Sequence, residues 1–593
     1  MPTPRRRAVG SRRLVVPLIL VAGVILAMSA ASTTLAGPNA KGPHFSEAVA
    51  FDTTAPLREL AKARRSPNPL PPRSGKDTDR EPIVERGAPA GALSPTGIAG
   101  AQARQARQAQ QATSAIPGPI ANFEGLSNQD NFDVFGFRVN PPDPVGDVGP
   151  NHYVEMINLV FAVYSKTGTL LLGPVDTGTL WAGFEIEDCT DPSGDPIVLY
   201  DQWADRWILT QFTTRGLADP ELPFYDCVAV SQTGDPTGAY HRYAFITQED
   251  PDGGFFFPDY PKYGVWTDSV IMTTRDFGSV DGYGISVYAL EKNKMYDGNP
   301  KARAVQFFLD SDDVPLNLIG DGLLPPDVDG DKKPNPQAVA PIVGTQDDDA
   351  AYGGTFDALN IWEFDVKWRS TPTASITDPD DVIQLPTEPF DSIFPCAPTS
   401  RDCLAQPGIT NPAQFLDVLS YRQRPIWRLA YRNFKDYESM VTNQSVEAAP
   451  GVAGTRWYEI RRVGDTYSVH QQGTVSGTDV HRWMGSIAQD KNGNMALGYS
   501  VVNGVDVFPG IRYTGRLASD PPGQMPLGEG VVINGSGVQT TTNSRWGDYT
   551  SMNVDPVDDC TFWYVNEYYT AAGQASSPAG WQTRIASLKL PGC

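Results

Sequence analysis

The chain has 593 residues, of which 40% are hydrophobic and 20% charged, and its formal net charge is −22 at pH 7. These proportions exclude a membrane transporter and a disordered acidic chain. The 56 Gly and 52 Pro, together with 12 Trp, 23 Tyr and 25 Phe, are typical of many short strands joined by turns. The composition therefore favours an all-β fold.

The first segment reads as an export signal. Five arginines between Arg5 and Arg13 precede an uninterrupted apolar run from Leu14 to Met28, and small residues follow as far as Gly37. This order predicts a secretory signal peptide over residues 1–36. The alternative, an N-terminal membrane anchor, needs an apolar run of about 20 residues. We expect a protein that is secreted or held at the cell surface, with no membrane span after signal cleavage.

Residues 37–118 have a biased composition. They contain a proline-rich stretch at 67–72 and an Ala/Gln/Arg run at 101–112 that has no apolar stripe to bury. The segment is predicted to be a low-complexity linker or pro-segment with a disordered backbone.

The charge of the rest of the chain limits its partners. Residues 119–593 carry 31 basic and 62 acidic side chains. Such a surface repels phosphate backbones and anionic membranes, so nucleic acid is excluded as a partner. Cations, neutral glycans and basic ligands remain.

All six cysteines lie in this acidic region, and an even number in an exported chain predicts disulfides. Pairing between neighbours in the sequence is our hypothesis, because each such pair falls within one structural module. The expected bridges are Cys189–Cys227, Cys396–Cys403 and Cys560–Cys593.

A weak internal repeat begins near residue 143. Its copies start with Asp followed by Pro or Tyr and then apolar residues, or with Arg-Trp, and they begin at Asp143, Asp195, Asp259, Asp327, Asp436, Arg482 and Asp548. Propeller blades recur at roughly 40–50 residues. The repeat predicts a seven-bladed β-propeller over residues 119–593, with six blades as the alternative. Residues 120–124 are predicted to supply the outer strand of the last blade and so close the ring.

Two segments carry a family resemblance. Ser486-Ile-Ala-Gln-Asp490-Lys-Asn-Gly-Asn494 and Arg545-Trp-Gly-Asp-Tyr549-Thr-Ser-Met resemble secreted bacterial β-propellers of the sialidase/BNR-repeat type, many of them uncharacterised. The resemblance implies a propeller over about four-fifths of the chain and a possible glycosidase activity. No intact Ser-x-Asp-x-Gly-x-Thr-Trp box occurs, so the family's arginine triad is not carried over.

The repeat also predicts a site. Inner strands of a propeller line one channel, so the aspartates that begin them should converge at its mouth. Asp548, Asp195 and Asp259 are the candidate acid and base residues. The candidate ligand-binding residues are Arg545, Tyr549, Arg482, Trp483 and Tyr260. In the alternative interpretation the aspartates cap turns, Trp483 and Trp546 pack between blades, and Arg545 pairs with Asp548.

A second pattern suggests a cation. Asp327-Val-Asp329-Gly-Asp331 alternates carboxylates, as calcium-binding loops do, and predicts a structural Ca²⁺ held by these three residues. It is not an EF-hand, because Lys332 and Ala338 occupy the required Gly and Glu positions. A solvated acidic loop is the alternative.

The function predicted from these features is a monomeric recognition module that binds glycan or protein ligands at the channel mouth. The alternative is a sialidase-like glycoside hydrolase or lyase that uses the channel carboxylates. The five histidines show no HExxH spacing, and no P-loop occurs. An enzyme should contain carboxyl groups with perturbed pKa values, whereas a binder should present a broad aromatic face.

Overall fold

The computed structural model describes residues 42–63, 116–219, 221–247, 256–278, 282–335, 338–348, 352–392, 402–418, 423–541 and 544–593. The predicted signal peptide and residues 64–115 lie outside them. Residues 38–593 belong to one compact unit. Among the described residues, no helix is both long and apolar enough to cross a lipid bilayer.

Five elements precede the first blade. They are β1 His44–Glu47, β2 Ala50–Thr53, α1 Leu57–Ala63, β3 Ala121–Ser127 and α2 Asn128–Phe135. Helix α2 begins with a capping box formed by Ser127 and Asp130 and ends at Gly136, whose φ of 77° favours glycine. Residues 42–63 therefore differ from the structureless linker expected there, because their strands pair with outer strands of the ring.

Seven sheets follow in chain order, and each is one blade. Blades 1 to 3 comprise β4 Val145–Val148, β5 His152–Ile157, β6 Val160–Ser165 and β7 Leu170–Asp176; β8 Ile197–Asp201, β9 Arg206–Phe212, β10 Tyr225–Ser231 and β11 Tyr240–Ile246; and β12 Phe256–Val265, β13 Ser269–Gly278, β14 Tyr283–Glu291, the short helix α3 Lys292–Tyr296 and β15 Arg303–Asp310.

Blade 4 follows helix α4 Leu316–Ile319, and a small two-stranded sheet separates it from blade 5. Strand β16 Pro326–Asp329 comes first in this part of the chain and belongs to the sheet of blade 5. Blade 4 comprises β17 Ala340–Gln346, β18 Ala358–Lys367, β19 Thr373–Ile376 and β20 Ile383–Pro386, and the small sheet comprises β21 Asp402–Leu404 and β22 Leu416–Asp417. Strand β16 pairs in parallel with the first strand of blade 5, and the bridge between Leu324 and Val343 ties it to β17.

Blades 5 to 7 complete the ring. They comprise β23 Ile426–Asn433, β24 Glu438–Ala449, β25 Val452–Val463 and β26 Thr466–Val475; β27 His481–Gln489, β28 Met495–Val502, β29 Gly510–Arg516 and β30 Gly530–Ile533; and β31 Ser551–Val554, β32 Thr561–Tyr569, helix α5 Ala571–Ser576 and β33 Trp581–Lys589. The seven-bladed β-propeller predicted from the sequence is confirmed.

The ring closes as predicted. Strand β3 adds antiparallel to β33, with Ala121 opposite Ser587 and Phe123 opposite Ile585. The last blade is therefore built from both ends of the ring, which leaves no unpaired outer strand at the junction.

One repeat start was placed wrongly. Asp436 lies on the exposed turn between β23 and β24, and not at the start of an inner strand. The inner strand of blade 5 begins after Arg424-Pro425-Ile426, which has the same form as Asp195-Pro196-Ile197. The start was assigned to Asp436 because Asp436-Tyr-Glu-Ser-Met resembles Asp548-Tyr-Thr-Ser-Met. In the structure, the residue that leads into the inner strand of blade 5 is instead the one before Pro425.

Disulfides and buried strands stabilise the blades. Cys189–Cys227 and Cys560–Cys593 are bridged, which confirms two of the three predicted pairs. Cys403 is also disulfide-bonded, while Cys396 lies outside the described residues. Every residue of β13 and β14 is buried, as expected for strands covered on both faces by neighbouring blades.

Buried carboxyl groups make the stability of this core depend on pH. Burial raises the pKa of Asp226 to about 7 and that of Asp276 to about 7. The folded protein keeps these protons between about pH 4 and pH 7, where the unfolded chain releases them. The free energy of unfolding should therefore fall as pH rises through this window.

Asp226→Asn should make that fall less steep. Urea midpoints of wild type and variant at pH 5 and pH 8 measure the effect, with the exposed Asp312→Asn as control. The same pH dependence in wild type and Asp226→Asn would contradict the prediction.

Candidate functional site

The inner strands of neighbouring blades enter the channel through an unusual backbone conformation. Asp143, Asp195 and Tyr260 have φ angles of 48°, 42° and 53°. Non-glycine residues in this left-handed region are strained by about 1–3 kcal/mol each, and such residues concentrate at functional sites. Asp143 and Asp195 lie just before β4 and β8, and Tyr260 lies at the bulge of β12 between Asp259 and Lys262.

Hydrogen bonds tie blades 1, 2 and 7 together at this end. The side-chain amide of Asn158 donates to Asp143 Oδ2 at 2.5 Å, and the backbone N–H of Asp195 donates to Asn158 Oδ1 at 2.9 Å. The backbone N–H of Asp548 donates to Asp143 Oδ1 at 2.6 Å. Asp143 is thus held by Asn158 of its own blade and by Asp548 of blade 7, and Asn158 links it to blade 2.

A lysine lies between two aromatic rings beside these carboxyl groups. Lys262 Nζ is 2.7 Å from the ring centre of Tyr260 and 3.8 Å from that of Tyr549. The hydroxyl of Tyr549 lies 3.1 Å from Asp195 Oδ2, to which it donates. We call Asp143, Asp195, Tyr260, Lys262, Asp548 and Tyr549 the axial cluster.

Two arginines face one carboxylate of the axial cluster. Arg545 donates to Asp548 Oδ2 at 2.6 Å and lies 3.5 Å from Asp417 Oδ2. Arg424 lies 3.8 Å from Asp548 Oδ1 and stacks over Tyr260 at 3.9 Å. Two guanidinium groups therefore lie within 4 Å of the Asp548 carboxylate.

The other ionisable groups of the axial cluster are driven towards their neutral forms. Burial, together with the charge of Asp548, raises the pKa of Asp143 to about 7. Burial and the charges of Asp259 and Asp143 raise the pKa of Asp195 well above its usual value. Burial and the neighbouring Arg424 lower the pKa of Lys262 well below its usual value. The site thus places two carboxyl groups that favour the protonated form, Asp143 and Asp195, beside the ion pair between Asp548 and Arg545.

Most of the predicted site residues meet in this arrangement. Asp548, Asp195, Tyr549 and Tyr260 belong to the axial cluster, and Arg545 pairs with Asp548. Asp259 lies at its edge, where its carboxylate accepts from the backbone N–H of Tyr260 at 2.9 Å and raises the pKa of Asp195.

Arg482 and Trp483 have different surroundings. Arg482 pairs with Glu529 at 2.8 Å, near the outer strand of blade 6. Trp483 packs against Trp546 with ring centres 5.0 Å apart, and both side chains are fully buried. The packing of Trp483 on Trp546, and the pairing of Arg545 with Asp548, fit the alternative interpretation named from the sequence.

Several functional candidates were missed from the sequence. Lys262, Arg424 and Glu567 were not identified, and Asp143 was recognised only as a repeat start. The backbone N–H of Gly547 donates to Glu567 Oε1 at 2.8 Å, and burial raises the pKa of Glu567. A signal for Arg424 was available, since it precedes Pro-Ile as Asp195 does.

The predicted calcium loop is occupied by ion pairs. Arg428 Nε lies 2.8 Å from Asp327 Oδ2, and its terminal nitrogen lies 2.6 Å from Asp329 Oδ1. Asp331 points away as an exposed residue. Because a buried guanidinium already neutralises two of the three carboxylates, calcium binding at this loop stays a prediction.

Comparisons with known proteins extend only to the fold. No protein-family model matches the sequence, and no curated protein matches it. Similar solved structures include a Trypanosoma rangeli sialidase mutant displaying trans-sialidase activity, at 12% identity and a TM-score of 0.31, with 73% of this chain and 57% of that chain covered.

Two other similar structures are a Clostridium thermocellum exo-β-1,3-galactanase (10% identity, TM-score 0.29, 80% of this chain and 97% of that chain) and a Fusarium graminearum α-L-arabinofuranosidase (10%, 0.26, 65% and 89%). The chain spans 57% of the sialidase's length. Similarity at this level carries no information about the chemistry of the axial cluster.

Proposed function

We propose that the protein is an extracellular glycoside hydrolase whose acid and base are carboxyl groups of the axial cluster. The observation that carries the proposal is the meeting of aspartates from blades 1, 2 and 7 in opposed environments. Asp143 and Asp195 are buried in a way that favours protonation, while Asp548 faces two guanidinium groups. Hydrolysis of a glycosidic bond needs one carboxyl group of each kind.

The roles follow from these environments. Asp143 is the proton donor to the glycosidic oxygen, because its pKa of about 7 keeps the acid form available near neutral pH. Asp548, whose carboxylate accepts from Arg545 at 2.6 Å, acts as base or nucleophile. Asp195 and Asp548 are 8% and 7% exposed and Asp143 is 2% exposed, so a substrate would meet Asp195 and Asp548 first.

A recognition module, the function favoured from the sequence, has less support from the described residues. A glycan-binding face presents aromatic rings to solvent. Tyr260, Tyr549 and Trp483 are instead 3%, 1% and 0% exposed. The location outside the cell is supported by the two disulfides, since such bridges persist in oxidising compartments.

The test is a panel of purified polysaccharides incubated with the full chain, in which both retention and released reducing ends are measured. We expect release from at least one substrate, and its loss in Asp548→Asn. Retention on a polysaccharide with no released ends would overturn the hydrolase and leave the recognition module as the function.

A further inference from the structure

Residues 42–63 occupy the outer edges of two blades. Strand β1 adds antiparallel to β15 of blade 3, with Phe45 opposite Val305. Strand β2 adds antiparallel to β11 of blade 2, with Phe51 opposite Tyr243. Each blade thereby gains a fifth strand, and the segment crosses from blade 3 to blade 2 within a few residues.

An ion pair between a buried arginine and a partly exposed aspartate fixes the register of this segment. Arg242 on β11 is 3% exposed, and its guanidinium donates to both carboxylate oxygens of Asp52, at 2.7 Å and 2.5 Å. The same guanidinium donates to the carbonyl of Leu180 at 2.9 Å. Asp52 supplies the carboxylate in this contact, and a shift of β2 by one residue would turn it to the opposite face.

Apolar and backbone contacts extend the binding beyond the strands. Leu57 of α1 is fully buried in the core of the ring, and its backbone N–H donates to the carbonyl of Gly238 at 2.7 Å. The rings of Phe51 and Tyr243 lie 5.0 Å apart. Three kinds of contact thus hold the segment: backbone hydrogen bonds along the strands, the ion pair between Arg242 and Asp52, and the buried side chain of Leu57. Added strands are generally recognised by main-chain hydrogen bonds together with side-chain contacts of this kind.

We propose that the outer edges of β11 and β15 form a peptide-binding site whose ligand is the segment 42–63, and that the segment stays bound without its covalent connection through residues 64–115. Among the described residues, the contacts that hold the segment are made by residues 44–61 and the ring. The connection contains eight Lys and Arg residues, among them the adjacent Arg64 and Arg65.

Cleavage at such a position would produce a two-chain protein. A protease that hydrolyses the bond after Arg65 breaks one C–N bond, and water supplies the hydroxyl to the new carboxylate and the proton to the new amine. Both products keep every contact described above, so the ring would keep its fifth strands.

The experiment places a recognition sequence for a site-specific protease between residues 76 and 86 of the full chain. After complete cutting, size-exclusion chromatography at about 1 μM protein should recover the N-terminal fragment with the ring. A labelled synthetic peptide of residues 42–63 should replace it only slowly. Separation of the fragment from the cut wild-type ring during chromatography would overturn the proposal.

The ion pair provides a specific variant. Asp52→Ala should release the fragment at least tenfold faster after cutting, because Arg242 loses its carboxylate partner. The matched control is Glu59→Ala in the same segment, whose carboxylate is exposed and pairs with Lys62 at 3.2 Å. Near-UV circular dichroism before cutting shows that each variant is folded. Equal release from Asp52→Ala and wild type would also count against the proposal.

Discussion

Asp143→Asn is expected to lower the rate of glycan hydrolysis by about 10²–10⁴-fold while the protein stays folded, with a lower melting temperature. Asparagine tolerates the left-handed conformation at φ 48° and can still accept from the backbone N–H of Asp548, but its amide nitrogen no longer accepts from Asn158. It cannot donate a proton to a leaving group. Reducing-end assays on the substrate identified with wild type, together with thermal unfolding, separate the loss of chemistry from a loss of fold.

The control for this prediction is Asp226→Asn. Its carboxyl group is also buried with a pKa of about 7, but it accepts from Tyr263 on the neighbouring blade and lies outside the axial cluster. It should keep wild-type activity. The rate in wild type should also fall as pH rises above about 7, since Asp143 then loses its proton. Full activity in Asp143→Asn would rule out its role as the acid.

Arg428→Leu should cause the largest loss of stability, about 3–5 kcal/mol in the free energy of unfolding. Arg428 is 1% exposed, pairs with Asp327 and Asp329, and donates to the carbonyl of Met552 at 3.1 Å. The guanidinium thus connects β16, the first long strand of blade 5 and blade 7. Its removal leaves two buried carboxylates without their cation.

Urea unfolding at two pH values tests this prediction. The loss should be smaller at pH 4 than at pH 7, because the unpaired carboxylates take up protons at low pH. Arg58→Ala is the control, since its pair with Asp235 is exposed on both sides and such pairs contribute about 0–1 kcal/mol. A loss from Arg428→Leu no greater than that from Arg58→Ala would contradict the structural role.

The architecture was largely accessible from the sequence because each blade repeats the same order of strand and turn. The ring closure by residues 120–124 was accessible for the same reason, since a closed propeller needs an outer strand for its last blade. The start at Asp436 failed because a short match in residue type outweighed the Pro that marks strand entry. The strands in residues 42–63 were missed because two four-residue strands show no clear periodicity within a segment of biased composition.

The site was accessible only in part. The residue that precedes the inner strand's Pro is Asp in blades 1 and 2, but it is Tyr260 in blade 3 and Arg424 in blade 5. A search for aspartate alone therefore finds only two of these four positions. The pattern Asp327-Val-Asp329-Gly-Asp331 also gave no sign that an arginine pairs with two of its carboxylates. Arg428 lies 101 residues beyond Asp327, and only the pairing of β16 with β23 brings them together.

The closing strand also determines how the ring responds to force. Ala121 at the beginning of β3 lies opposite Ser587 near the end of β33, so both ends of the ring leave the same edge of one sheet. Tension applied between these ends would load the ladder one hydrogen-bonded pair at a time, as in unzipping, and the seventh blade should open at low force. The same adjacency makes the ring suited to circular permutation, with residues 119 and 593 joined and new ends placed in a turn elsewhere.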